Sequence, residues 1–203
     1  MPLTVLYAPT HYVPPAHQRV GYPTFPATWH FARFHMPLLR WMATRPEHFI
    51  WKAPEAERIY NPVRDVIARE RWSNIRFSTA RMRDVLSTVH RAVVEGPFTV
   101  LMNALLAGCP VLGLSHSTWT LRPGAKAHFG CILQSFTTAE DAIRHVQQFL
   151  EDPAAEARYR VPVLEPWRTL YAEFVAPVGA ASRPPTCGLP VATVLVRPGE
   201  APS

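Results

Sequence analysis

The chain has 203 residues, of which 48% are hydrophobic and 18% charged, and this balance excludes a disordered protein. Its three cysteines form no CxxC pair, which argues against a disulfide scaffold and a zinc site and favours a reducing cytoplasm. The net charge of +6 suits anionic partners, but the basic residues form no runs and do not alternate with aromatic residues as in RNA-binding sheets. We therefore expect a solvated, arginine-rich surface and no nucleic-acid partner.

The first half of the chain alternates strand-like and helix-like segments. Thr4–Ala8 is a β-branched and aromatic run that predicts a buried strand, and a loop follows over 11–28. The next predicted elements are a helix over 29–44 kinked or split at Pro37, a strand over 48–51, a helix that opens at Pro62, a strand over 74–77 and a helix over 81–89.

The second half continues this alternation. It predicts a strand over 91–94, a helix over 98–107 capped by Gly108, strands over 110–114 and 131–134, and a helix over 139–150. Thr137, with Glu140 three residues later, predicts a capping box at the start of that last helix. A further helix is predicted over 166–174, and a disordered tail rich in proline, glycine and alanine over 176–203, with one strand-like run over 191–196.

Six strands that alternate with helices predict one α/β domain over 3–175, a Rossmann-like parallel sheet with helices on both faces. Sheets of this kind bind ligands beyond the carboxyl ends of their strands. The candidate site residues are therefore those that follow the strands: Thr10 and His11 after the first, Lys52 after the second, Glu95, Gly96, Pro97, Phe98 and Thr99 after the fourth, and Ser115 and His116 after the fifth.

The turn after the fourth strand carries the strongest physical argument. A glycine turn leads directly into a helix whose first backbone N–H groups lack internal partners, and these groups attract an anion together with the helix dipole. The Thr99 hydroxyl adds a donor, so the segment predicts a pyrophosphate site. The alternative is that Gly96 and Pro97 form an ordinary tight turn without a ligand.

The remaining candidates are titratable side chains. His11 and His116 are predicted to act as acid or base or to contact phosphate, because histidine titrates near neutral pH, and surface positions are the alternative. Glu95 is predicted to hold a ribose hydroxyl or act as a base, or else to be a carboxylate stabilised by the helix start. Lys52 is predicted to meet a phosphate as a point charge. No Walker A, HExxH or DxD-like motif is present, so neither a metal nor a cofactor is expected.

The order of these segments resembles the donor-binding, C-terminal half of GT-B transferases of the CDP-glycerol glycerophosphotransferase and capsule-polysaccharide transferase group. Residues 92–112 carry the most specific similarity, with the sequence AVVEGPFTVLMNALLAGCPVL, and 5–10 (VLYAPT) and 51–54 (WKAP) add weaker matches. The resemblance covers roughly residues 3–150. It implies two Rossmann-like halves with the active site between them, a nucleotide-diphosphate-activated donor as substrate, and a donor contact at Asn103.

Three positions depart from the group's pattern. Phe98 stands where the group has serine before Thr99, Asn103 stands where the group has a glutamate that contacts the donor, and Ala53 stands where the group has histidine. Asn103 still offers hydrogen bonds, but without charge. The chain also begins at the first strand of the donor half. Three explanations therefore remain open: the chain is a fragment of a longer enzyme, its acceptor half is a separate chain, or the protein is a relic.

These inferences predict the donor-binding domain of a transferase that moves a sugar or polyol phosphate in cell-surface polysaccharide synthesis. The predicted partners are a nucleotide-activated sugar or polyol and either a separate acceptor-binding half or a membrane surface. No signal peptide is visible and no apolar run reaches the ~20 residues that span a bilayer, so the expected location is cytoplasmic or peripheral at the inner membrane. The alternatives are a catalytically degenerate nucleotide- or partner-binding domain and a relative of the UDP-sugar 2-epimerases.

Overall fold

The fold is defined by a computed structural model that describes residues 2–9, 30–54, 61–96, 99–117, 120–121, 129–161 and 195–196. The predicted loop over 11–28 and the predicted helix over 166–174 lie outside these residues. The tail over 176–203 also lies outside them, except for a two-residue strand at Leu195–Val196.

Six strands form one parallel sheet at the centre of the fold, as predicted. The strands of this sheet are β1 Thr4–Ala8, β2 His48–Lys52, β3 Ile75–Ser78, β4 Arg91–Glu95, β5 Val111–His116 and β7 Leu133–Phe136, and two short strands outside it are β6 Thr120–Leu121 and β8 Leu195–Val196. The order in the sheet is β3-β2-β1-β4-β5-β7, and β6 and β8 form a separate antiparallel pair. The strand order reverses direction between β1 and β4, which is the topological switch point of a Rossmann-like sheet.

The helices are a π-helix at Phe31–His35, α1 Met36–Ala43, α2 Pro62–Glu70, α3 Met82–Leu86, α4 Thr99–Leu106, α5 Ala139–Glu151 and α6 Ala155–Arg158. Pro37 was predicted to kink or split the helix. Instead, the helix is continuous and widens to π geometry just before the proline. Proline lacks an N–H and its ring clashes with the carbonyl four residues earlier, and a wider turn relieves that clash. Gly108 follows α4 with a φ of +69°, as expected of a C-terminal cap.

Helices cover both faces of the sheet. Helices α1 and α5 pack against each other on one face, which we call the α1 face. Crossovers between parallel strands are right-handed, and β4 to β5 runs in the opposite direction to β1 to β2, so α4 lies on the other face, the α4 face. None of the helices in the described part of the chain combines the length and apolarity needed to cross a membrane.

A buried arginine joins α5 to the centre of the sheet. Arg91 begins β4, and its Nη1 donates to the carbonyl oxygens of Phe149 at 2.6 Å and Leu150 at 2.9 Å. These carbonyls belong to the last turn of α5, where no backbone N–H remains to pair with them. The guanidinium therefore completes the hydrogen bonding of the helix end and fixes its position over β4.

Two predicted boundaries in this region were wrong by one or two residues. The capping residue of α5 is Thr138, whose hydroxyl accepts from the backbone N–H of Asp141 at 3.2 Å. Asp141 in turn accepts from the backbone N–H of Thr138, so Asp141 takes the role predicted for Glu140. Ala139, the first residue of the helix, is buried. The preceding strand begins at Leu133 rather than at residue 131, because residues 131 and 132 form a turn.

The neighbouring threonines give a direct test of this cap. We expect Thr138→Ala to lower the free energy of unfolding by about 1 kcal/mol, because it leaves the Asp141 N–H without its capping acceptor. Thr137→Ala, one residue earlier on an exposed side chain, should change it by less than about 0.5 kcal/mol. Urea unfolding of both variants measures the difference, and equal losses would contradict the assigned cap.

Candidate functional site

The switch point brings the carboxyl ends of β1 and β4 side by side. Ala8 pairs with Val94 at this edge, and Glu95 is the next residue of β4. Tyr7 of β1 pairs with Val93, and side chains alternate along a strand, so Tyr7 and Glu95 project from the same face of the sheet. That face is the α1 face, because Glu95 meets side chains of the segment that leads into α1.

Glu95 is the centre of a buried polar cluster. The Tyr7 hydroxyl donates to Oε1 of Glu95, and Nε2 of His35 lies 2.5 Å from the same oxygen. Nε2 of His30 lies 3.3 Å from Oε2. The exposed fractions of His30, His35 and Glu95 are 5%, 0% and 3%, so the cluster is sealed within the layer between sheet and helix. We call these four residues the Glu95 cluster.

The π-helix places both histidines on the carboxylate. Its defining hydrogen bond runs from the Met36 N–H to the Phe31 carbonyl, five residues back. Residues five apart diverge around an α-helix but lie over one another in a π-turn. The rings of His30 and His35 accordingly meet edge to face with centroids 4.4 Å apart. Sequence reasoning gave His30 and His35 only weak positional arguments and gave Tyr7 no role, because a helical period of 3.6 does not bring residues five apart together.

Aromatic side chains surround the cluster. Tyr7 stacks on Trp51 with centroids 4.6 Å apart, and His35 meets Trp51 edge to face at 4.9 Å. On the β5 side, Phe136 contacts the ring of the predicted site residue His116, with centroids 5.3 Å apart. In such a layer the effective dielectric is low, so charges and hydrogen bonds interact more strongly than in water.

The environment sets the protonation of two predicted site residues in different ways. Burial alone would raise the pKa of Glu95, but the charges and hydrogen bonds of His35 and His30 more than offset burial and hold that pKa well below its usual range. Burial lowers the pKa of His116, and the charge of His30 lowers it further. Glu95 therefore stays ionised at neutral pH, whereas His116 favours its neutral form.

On the α4 face, the turn after β4 presents a different arrangement. Gly96 has a φ of +79°, and its N–H donates to the Leu114 carbonyl at 2.7 Å. Ser115 comes next along β5, and strand alternation turns its side chain to the opposite face from Leu114 and Glu95. Ser115 is buried, and its Oγ has no hydrogen-bond partner among the residues that the structure describes. A buried hydroxyl without a partner is uncommon and indicates a missing acceptor or donor.

Other predicted residues lie around the same edge of the sheet. Lys52 alternates with Trp51, so it lies on the α4 face, where its ammonium donates to the Ala53 carbonyl. Thr99 begins α4, and Asn103 follows one turn later, both half-buried. Four predicted site residues lie outside the described part of the chain: Thr10, His11, Pro97 and Phe98. The structure thus separates Glu95 and His116 on the α1 face from Lys52 and Ser115 on the α4 face, and the roles predicted for all of them stay predictions.

Comparison with known proteins agrees with this architecture. No family model and no curated protein matches the sequence. Among solved structures, the chain is similar to the UDP-GlcNAc 2-epimerase from Neisseria meningitidis bound to UDP-GlcNAc, with 16% sequence identity and a TM-score of 0.56. The match covers 82% of this chain and 41% of the epimerase chain, so this chain spans less than half of that enzyme's length. At this level of identity the likeness shows the fold alone. The fold is a Rossmann-like domain, and the similar structure is GT-B-like.

The Glu95 cluster predicts a specific loss of stability on substitution. Glu95→Gln removes the buried negative charge and leaves His30 and His35 beside a neutral amide, so we expect it to lower the free energy of unfolding by about 3–5 kcal/mol at pH 7. The exposed Glu70→Gln, at the end of α2, should change it by less than about 0.5 kcal/mol. Urea unfolding of the two variants, in buffer with a chelator, measures both changes in the free energy of unfolding.

The same pair of variants tests the sign of the pKa shift. Because the folded-state pKa of Glu95 lies below its unfolded value of about 4.5, its contribution is complete above that pH and is lost as the pH falls towards the folded pKa. The stability advantage of the wild type over Glu95→Gln should therefore shrink as the pH falls below about 4.5. An advantage that grows on acidification would show that burial dominates and that the pKa is raised.

Proposed function

We propose that this chain is a domain that binds a nucleoside-diphosphate-activated sugar or polyol, with the diphosphate at the turn between β4 and α4. The single observation that carries the proposal is the buried Ser115 hydroxyl, which has no partner among the described residues and lies beside Gly96. A phosphate oxygen of a bound diphosphate would accept the hydrogen bond that this hydroxyl makes to none of the described residues. Fold similarity to an enzyme crystallised with UDP-GlcNAc supports the same class of ligand.

The arrangement suits an anionic ligand for three physical reasons. The left-handed φ of Gly96 forms a turn that leads to the start of α4, where backbone N–H groups and the helix dipole attract negative charge. Thr99 and Ser115 add two hydroxyl donors without adding charge. A glycine at the turn also lets a ligand approach the backbone closely, because no Cβ is in the way.

The other predicted residues have distinct places in this proposal. Lys52, on the same face, balances the charge of the diphosphate. Asn103, one turn into α4, hydrogen-bonds a hydroxyl of the nucleoside or of the transferred group. His116, at the carboxyl end of β5, remains a proposed contact, and so does His11, which lies outside the described residues. An acceptor-binding half or a membrane surface would complete the transferase that the resemblance to the glycerophosphotransferase group implies.

The environment of Glu95 fits a domain that binds its donor better than one that uses Glu95 as a general acid or base. A general base for catalysis needs a pKa near the working pH, whereas the pKa of Glu95 lies well below its usual range. Its two oxygens are also engaged by Tyr7, His35 and His30. In a donor-binding domain of this kind, catalysis consists mainly of positioning the donor and stabilising the departing diphosphate, and neither task needs a base at Glu95.

The serine pair on neighbouring strands gives a matched test of the diphosphate site. We expect UDP, CDP or one of their sugar or glycerol conjugates to stabilise the chain by about 2.7 kcal/mol at 100 times its dissociation constant. Ser115→Ala should weaken that ligand tenfold or more, because a hydrogen bond to a charged group contributes about 1.5–3 kcal/mol. Ser135→Ala, the exposed partner of Ser115 on β7, should leave affinity unchanged. Calorimetric titration of both variants measures this.

Variants at the start of α4 separate the backbone donor from the hydroxyl. Thr99→Val keeps the N–H and removes the hydroxyl, whereas Thr99→Pro removes both at the first helical position, where proline is tolerated. The proline variant should bind more weakly than the valine variant. If no nucleoside diphosphate or conjugate stabilises the wild type, the proposed function is wrong.

A second candidate function is sugar-nucleotide 2-epimerisation, which the fold similarity favours. Incubation with UDP-GlcNAc alone distinguishes the two, because an epimerase forms the 2-epimer without an acceptor. A transferase leaves UDP-GlcNAc unchanged until an acceptor is added. Binding with neither reaction would identify a catalytically degenerate domain.

A further inference from the structure

The Glu95 cluster contains a set of metal ligands that the proposed function does not use. Nε2 of His30, Nε2 of His35 and a carboxylate oxygen of Glu95 all lie within 4.8 Å of one another, and all three residues are buried. We propose that these three side chains bind one divalent transition-metal ion, Zn²⁺, between the π-helix and the carboxyl end of β4. This inference departs from the expectation that no metal is bound, which rested on the lack of sequence motifs.

The donor set fits zinc in kind and in number. Two imidazoles and one carboxylate form a known three-ligand zinc set, and the fourth position is left for water or another oxygen. Each histidine directs its Nε2 to a different oxygen of the same carboxylate. The single negative charge of Glu95 offsets part of the charge of the ion, as a buried cation requires.

The spacing of the ligand atoms is close to what an ion needs. Two bonds of about 2.0 Å at a tetrahedral angle hold ligand atoms about 3.3 Å apart. Nε2 of His30 and Oε2 of Glu95 are already separated by 3.3 Å. Nε2 of His35 lies within 4.8 Å of the other ligand atoms, so the three side chains approach the spacing that one ion requires.

Two independent observations favour an ion over a simple hydrogen-bonded cluster. The π-helix that brings His30 and His35 together is a rare structure that occurs frequently at functional sites. Beside it, the fully buried indole Nε1 of Trp51 has no hydrogen-bond acceptor among the described residues, and its ring packs against His35. An oxygen ligand such as hydroxide in the fourth position of the ion is an acceptor of the kind that this indole lacks.

Tyr7 would act as a positioning residue for this site. Its hydroxyl donates to Oε1 of Glu95, and hydrogen bonds of this kind orient a metal-binding carboxylate. Tyr7→Phe removes the hydroxyl and keeps the ring that stacks on Trp51. We expect it to weaken zinc binding by about 10- to 100-fold, which is less than the loss of a ligand.

Direct titration of the whole chain tests the proposal. After treatment with a chelator and removal of the chelator, the wild type should bind one Zn²⁺ per chain in calorimetry, and Co²⁺ should give visible absorption typical of nitrogen and oxygen ligands. His30→Ala and Glu95→Gln should each weaken Zn²⁺ binding at least 100-fold. His48→Ala is the matched control, because His48 is exposed at the amino end of β2. Far-UV circular dichroism without metal establishes that each variant is folded.

The outcomes separate this site from an exposed histidine elsewhere in the chain. Failure of the folded wild type to bind Zn²⁺ stoichiometrically overturns the proposal without any variant. Binding that persists in His30→Ala, or that falls equally in His48→Ala, places the ion elsewhere and also overturns it. Nucleoside-diphosphate binding is measured separately on the α4 face, so either proposal can fail alone.

Discussion

The fold around the switch point depends on one constraint, the burial of the Glu95 carboxylate. An ionised group removed from water is stable only when it is paired and hydrogen-bonded. Tyr7 supplies a hydroxyl from β1, and His30 and His35 supply ring nitrogens from the helix above. One charge therefore links the two central strands to the π-helix, and it fixes how the first helical segment sits on the sheet.

This arrangement gives the two faces of the sheet edge different properties. The α1 face is closed by aromatic rings, and its polar atoms are concentrated on Glu95. The α4 face has a glycine turn, a helix start and the Ser115 hydroxyl without a described partner. An anionic ligand suits the second face, because the groups proposed to bind it, backbone N–H groups and hydroxyls, are neutral donors. A cation suits the first, because a carboxylate and two imidazoles converge there.

Much of the architecture could be predicted from the sequence, because apolar runs and their spacing report burial directly. The strand at Thr4–Ala8 was predicted to the residue, and the six-stranded parallel sheet follows from the alternation of elements. The cap of α5 was misplaced by one residue, because Thr137 with Glu140 and Thr138 with Asp141 both place a hydroxyl three residues before a carboxylate. The cluster could not be predicted, because a helical period of 3.6 separates residues five apart and only a π-turn brings His30 and His35 together.

The structure also bears on how a donor would be recognised. The resemblance to the transferase group implies a donor contact at position 103, where Asn103 offers hydrogen bonds without charge. The acidic residue after β4 is present as Glu95, but Tyr7 and the two histidines engage its oxygens on the opposite face from Ser115. Neither position therefore offers a free carboxylate to accept hydrogen bonds from sugar or ribose hydroxyls. The donors that remain near α4 are backbone N–H groups and hydroxyls, which are suited to phosphate oxygens. In the proposed diphosphate site the binding energy would be concentrated on the diphosphate, so discrimination among transferred groups would come from residues outside this turn.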